Sequence, residues 1–266
     1  MSIALLIFLA PLQQDTQDLR WRLEPGQRYT CTWSMKLVFN DPAKPGDRVD
    51  MTQGFSGTME VTKTAKDKTE CTLVLKRLAL NGTFRGTPMD VLYEDGETKK
   101  PAAPRESAQN IKRECEKPGT LSLTPTGEYT FVGKHIVAAY FQGQSDFFGP
   151  QVPGKPVDAA AEWEGSLEGP PTGTARKAPP VKVKYRLAGV DKDLVRIQMK
   201  ETKDIESGDC VINAAFTSDS QFNVAGGFCA KSTATVRGVI KLKGAPAGSP
   251  TAEVETTMNF EMTPQK

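Results

Sequence analysis

The chain has one histidine, His135, in 266 residues, and that scarcity excludes zinc centres built on histidine clusters. It has no G-x-S-x-G, G-x-G-x-x-G, P-loop or H-E-x-x-H motif, so the common nucleophile, dinucleotide, phosphate and metalloprotease sites have no anchor here. No cofactor or metal is called for. Charge of one sign is also lacking: 34 Lys and Arg face 32 Asp and Glu. Nucleic acids and anionic membrane surfaces both select for a basic excess, so neither is an expected partner. Tyr and Trp number only 5 and 3, too few for the aromatic girdles of an outer-membrane barrel.

Long hydrophobic runs are missing too. Ile3 to Leu12 is an apolar stretch with Pro11 inside it, well short of the ~20 residues needed to span a bilayer. It suits the apolar segment of a secretory signal peptide. No Lys or Arg precedes it, no small-x-small cleavage site follows, and no cysteine near its end marks a lipid-anchored lipoprotein. The reading is of an extracytoplasmic protein, periplasmic or secreted, that does not span a membrane. Residues 1–14 form its signal peptide.

What the chain does have is strict alternation. From Val49 to Lys63 the odd positions are Val49, Met51, Gln53, Phe55, Gly57, Met59 and Val61, and the even ones are almost all polar or small. Period two over that length predicts a long strand with one apolar face. Parallel sheets are covered on both faces, so a one-sided strand belongs in an antiparallel sheet. Tyr29 to Phe39 and Ala252 to Met262 alternate in the same way, as do Val181 to Leu187 and Val195 to Met199. In Cys71 to Leu80 the parity changes between Leu75 and Leu78, and a bulge near Lys76-Arg77 reconciles the halves. Turns are expected at Asn81-Gly82, Asp95-Gly96, Pro125-Thr126-Gly127 and Asp219-Ser220. Arg105 to Glu116 predicts a short helix with a stripe at Ala108, Ile111 and Cys115, and Ile136, Val137, Tyr140 and Phe141 predict a second.

The fold class is therefore mainly β. Long antiparallel strands lie in one or two curved, half-barrel-like sheets, with one or two short helices. The expected divisions are a first β half over 15–133, a short helix and Pro/Gly linker over 134–158, and a second β half over 159–266.

Candidate chemistry is sparse. His135 could be imagined with Ser145 and Asp146 as a catalytic set, but nothing in the spacing demands it. Glu94, Asp95 and Glu97 cluster at one turn, and a solvated hairpin tip explains them better than a cation site. No catalytic residue is assigned. Among the five cysteines, strand register puts Cys31 beside Gly57 and Cys71 beside Val61, too far apart to bridge. A turn at Asp219-Ser220 would bring Cys210 opposite Cys229, so Cys210–Cys229 is the one disulfide to test. Otherwise the cysteines are small core residues. The apolar strand parities carry an unusual number of methionines beside aromatics. Trp33, Met35, Phe55, Met59, Met258 and Phe260 are the candidate lining of an apolar ligand site. Plain core packing is the competing explanation.

The run LRWRLEPGQRYTCTW, the strand GFSGTMEV, and LSLTPTGEYTFVG followed by QVPGKPVD and AEW resemble a family of exported bacterial β-rich proteins without an assigned activity. More distantly, long curved sheets wrapped on a short helix are similar to the lipoprotein-carrier fold, whose members hold acyl chains in an apolar hollow. That likeness is architectural and transfers no residue. Together these features imply a non-enzymatic exported protein that binds an apolar or amphipathic ligand, such as a lipid, on a concave sheet face. The rival is a structural or interaction module that docks an envelope protein through edge strands. A hydrolase ranks third.

Overall fold

The computed structural model describes residues 16–100, 105–133, 135–137, 149–167 and 180–266. Fifteen strands, one α-helix with both ends described and a 3-10 turn at Pro45–Asp47 are found there, and Ile136 and Val137 are helical. The strands are β1 (Gln17–Leu19), β2 (Arg28–Asn40), β3 (Val49–Thr64), β4 (Thr69–Phe84), β5 (Thr87–Glu94), β6 (Glu97–Lys100), β7 (Gly119–Leu123), β8 (Tyr129–Val132), β9 (Lys155–Val157), β10 (Glu162–Leu167), β11 (Val181–Asp191), β12 (Leu194–Ser207), β13 (Cys210–Asn223), β14 (Phe228–Leu242) and β15 (Ala252–Pro264); α1 is Arg105–Glu116. The stretch expected to be a signal peptide, Tyr140, Phe141, Ser145, Asp146 and most of the Pro/Gly-rich stretch after Leu167 lie outside the described residues.

Thirteen strands form one antiparallel sheet in the order β10-β11-β12-β13-β14-β15-β2-β3-β4-β5-β6, with β7 and β8 branching from β4; β1 and β9 make a separate pair. The sheet does not close into a barrel. The two halves of the chain meet where the last strand, β15, pairs with β2 (Met258 opposite Met35, Phe260 opposite Trp33).

β3 follows the sequence alternation closely. Its odd positions from Val49 to Val61 are all buried, and its even ones are not. The bulge in β4 lies where the parity change placed it: Ser56 pairs with Arg77 and Gly57 with Leu75, leaving Lys76 as the extra residue. Gly57 is required at that point, because a Cβ there would sit 2.4 Å from the carbonyl oxygen of Val74. Cys31 pairs with Gly57 and Cys71 with Val61, as the register argument expected.

Two turns fall elsewhere. Asn81 and Gly82 lie inside β4, and the hairpin turns at Arg85-Gly86, both with positive φ (49° and 76°). Such a pair suits the right-handed twist of the flanking strands. Asp219 and Ser220 lie inside β13, and the chain turns at 224–227 instead.

The sheet is strongly curled, and backbone hydrogen bonds at one end show it. The Trp21 amide donates to the Pro125 carbonyl in the β7–β8 turn, and the next amide, Arg22, donates to Gly227 in the β13–β14 turn (2.9 and 2.8 Å). Two carbonyls held by consecutive amides are within about 10 Å of each other. Along the sheet, β7 and β14 are five spacings apart (β7–β4–β3–β2–β15–β14), or ~24 Å at ~4.8 Å each. Curling brings the turns together, and a strap of residues 17–27 and 149–157 closes that end. Trp21 is part of this strap. Leu19, Trp21 and Leu23 bury their side chains as an alternating strand would, but beyond Leu19 their backbone bonds go to turns and strand ends, such as Gly26 to Val61 and Val152 to Thr126.

Candidate functional site

The six candidate lining residues share the inner face of the sheet, on three adjacent strands. Register builds them into rows. Phe260, Trp33 and Phe55 stand opposite one another across β15, β2 and β3, followed by Leu78 on β4. Trp33 and Phe55 stack at 5.9 Å between centroids. In the next row, Met258 faces Met35, which faces Gln53, which faces Leu80. Met59 stands opposite Tyr29 and Leu73. Period-two side-chain direction and antiparallel pairing produce these rows. The six are brought together but are covered, with exposures between 0% and 6%.

The rows continue into the second half of the chain with smaller residues. Beyond Met258 come Ala234, Ser218 and Met199; beyond Phe260 come Ser232, Ser220 and Ile197. The Ser220 and Ser232 hydroxyls bond each other at 2.8 Å. Gln53 Oε1 and Ser218 Oγ are buried without a hydrogen-bond partner. These polar inner-face positions were not singled out from the sequence, although a glutamine at an apolar parity was a visible signal. Among the described residues no Asp, Glu, Lys or Arg is buried; the charges at inner parity on β12, Glu201 and Lys203, stand opposite Phe216 and Ala214, are partly exposed and pair with each other at 3.3 Å.

The outer face is polar. Gln198 accepts from Arg186 and donates to Asp219, which Arg196 also grips. The Arg196 hydrogen bonds hold the Asp219 carboxyl below its usual range. A groove of about 300 Å³ lies here, lined by Arg186, Gln198, Lys200, Thr217, Asp219 and Thr233 among others. Arg186 is held by Gln198, and Asp219 by Arg196 and Gln198.

The Cys210–Cys229 disulfide does not form. Cys210 pairs with Leu242 and Cys229 with Phe222, at opposite ends of the β13–β14 hairpin, so the two do not meet. With the turn at 224–227 rather than at 219–220, the two are separated by most of a strand's length. Burial pushes the Cys31, Cys71 and Cys115 thiols up to about 12, so they behave as small core residues with little thiolate character.

His135 is buried at 6% exposure. Its Nε2 bonds the Lys117 carbonyl (3.1 Å), and its Nδ1 accepts the Val137 amide (3.3 Å). Its ring stacks at 6.2 Å on Phe131. Both nitrogens are thus occupied by backbone. Among the described residues no three His, Cys, Asp or Glu side chains could hold a metal ion. The Glu94–Glu97 cluster is a hairpin tip, where Asp95 and Gly96 turn and Glu94 pairs with Lys99 at 2.7 Å. No helix of the described residues is long and apolar enough to cross a membrane.

The fold defines a class: a large, open, curled antiparallel sheet with one apolar face. No family model and no curated protein matches the chain. Among solved structures it is similar to one described as lipid–protein interactions in lipovitellin, with a TM-score of 0.55 over 92% of this chain at 11% identity. The chain spans about a quarter (26%) of that protein's length. At such identity the likeness is one of fold.

Proposed function

We propose that the protein is an exported, non-enzymatic binder that holds the aliphatic part of an apolar or amphipathic molecule against the inner face of its sheet. The supporting observation is a pair of uncharged rows on the inner face, running from Met199 through Met258 and Met35 to Leu80, and from Ile197 through Phe260, Trp33 and Phe55 to Leu78. The lipovitellin structure, which shares the fold, is described by its lipid–protein interactions. The lining residues are covered within the core, so a ligand reaches them only when neighbouring core side chains repack. Met35, Met59, Met258 and Met262 suit that role, because unbranched thioether side chains repack around differing shapes. Export rests on the apolar run at Ile3–Leu12.

A second reading is docking of an envelope protein through a sheet edge. It is favoured by β8, which pairs only with β7 among the described strands and carries Val132 at 59% exposure. An unpaired edge is a template for strand addition.

Quenching of tryptophan fluorescence by a lipid brominated along its chain separates the two. Inner-face binding predicts quenching that is largely lost in Trp33→Phe and retained in Trp163→Phe. No quenching at saturating lipid would contradict it.

A further inference from the structure

Two buried oxygens on the inner face have no hydrogen-bond partner: Gln53 Oε1 and Ser218 Oγ. Their residues are 6% and 7% exposed. Buried polar atoms in folded proteins are nearly always paired, and leaving one unpaired carries its full desolvation penalty. Both residues belong to a single cross-strand row, Ser218–Ala234–Met258–Met35–Gln53. They are four strand spacings apart, ~19 Å along the sheet, with only apolar side chains between. The pattern of one polar atom, an apolar span, then a second polar atom complements a molecule with an aliphatic body and a hydrogen-bonding group. The small side chains of Ser218, Ser220, Ser232 and Ala234 leave the sheet floor low on β13 and β14.

The acceptor at Gln53 selects for a donor, and the absence of buried charge selects against an ion. A carboxylate or phosphate brought between Gln53 and Ser218 would find no Lys or Arg in that row, since the inner-face Lys203 lies two rows away, is partly exposed and is paired with Glu201, and an uncompensated buried charge is far costlier than an uncompensated hydroxyl. We infer that the inner face selects a neutral, hydroxyl- or amide-bearing aliphatic lipid, with Gln53 accepting its hydrogen bond and Ser218 engaging a second polar group. This rests on the proposed inner-face binding and adds the chemical class of the ligand.

The test is competition at pH 8 between a chain-brominated lipid that quenches Trp33 and three ligands of equal chain length: 1-dodecanol, dodecane and dodecanoate. The alcohol is expected to displace the probe at about 5-fold lower concentration than the alkane, the worth of one net hydrogen bond, and dodecanoate is expected to be the weakest. Gln53→Leu should erase the alcohol's advantage over the alkane while Trp33 quenching by the probe persists, which shows that the variant is folded. Ser218→Ala is a second variant, expected to reduce the same advantage. Equal competition by alcohol and alkane in the wild type, or an advantage untouched in Gln53→Leu, would overturn the neutral-donor assignment alone. Absence of any Trp33 quenching would overturn the binding reading, and the assignment with it.

Discussion

At the scale of single residues, His135 links structure to pH. Burial is the main cause that lowers its pKa from the ordinary value; the Lys117 carbonyl and the Glu114 charge oppose it. A folded-state pKa below the unfolded one, ~6.5, means that the unfolded chain binds more protons in that window. The stability tied to neutral His135 is therefore complete above about pH 6.5 and is lost as pH falls through the depressed folded pKa. Denaturation midpoints measured between pH 7.5 and 5 should fall more steeply in the wild type than in His135→Gln; identical slopes would show that His135 is not the sensor. No spacing in the sequence demanded catalytic work of His135. It could not show that the Lys117 carbonyl, 18 positions away, would take its Nε2. Gln53 was legible in a different way: alternation placed it on the apolar face, but only register showed Met35 and Leu80 on either side with no partner for Oε1.

At the scale of elements, long strands were legible because period two survives over many residues, and a one-residue slip would turn an entire apolar face outward. The β4 bulge could be read for the same reason, since Leu75 and Leu78 cannot both face inward without an extra residue. The turns were less legible. Asn-Gly is a strong hairpin signal, yet at Asn81-Gly82 the long partner strand kept pairing through both residues and moved the turn to Arg85-Gly86. The same over-reading at Asp219-Ser220 produced the disulfide that does not form.

The strap was hidden as well, because alternation in Leu19, Trp21 and Leu23 looks identical whether the backbone bonds a neighbouring strand or a set of turns. Trp21 is its pin. It is 5% exposed, stacks edge-on at 5.7 Å against Phe222, and lies against Gly127, whose added Cβ would meet the indole nitrogen at 2.6 Å. Trp21→Ala should cost about 3–5 kcal/mol by denaturant titration, the usual range for removing a buried aromatic ring. A loss under about 1 kcal/mol would mean that the strap does not hold the curl.

At the scale of the whole molecule, the decisive contact is between β15 and β2. It turns two similar halves into one curled sheet and makes the inner face continuous from Met199 to Leu80. Alternation foretold a mainly β protein with one-sided sheets. The pairing of the last strand with the second is long-range, and periodicity carries no information about which strands become neighbours. The candidate lining was legible as a parity pattern on three strands, whereas its polar complement on β13 emerged only from register. Fold alone does not give function. What argues for binding is the chemistry of the two central rows: extended, apolar, without charge, and interrupted by two unpaired oxygens.

The most direct test is native mass spectrometry of the protein purified from its own cells without detergent, followed by organic extraction. The account predicts a mass above that of the polypeptide, with the excess extracting as a neutral, hydroxyl- or amide-bearing lipid. A bare polypeptide mass that stays bare after incubation with such lipids would contradict it.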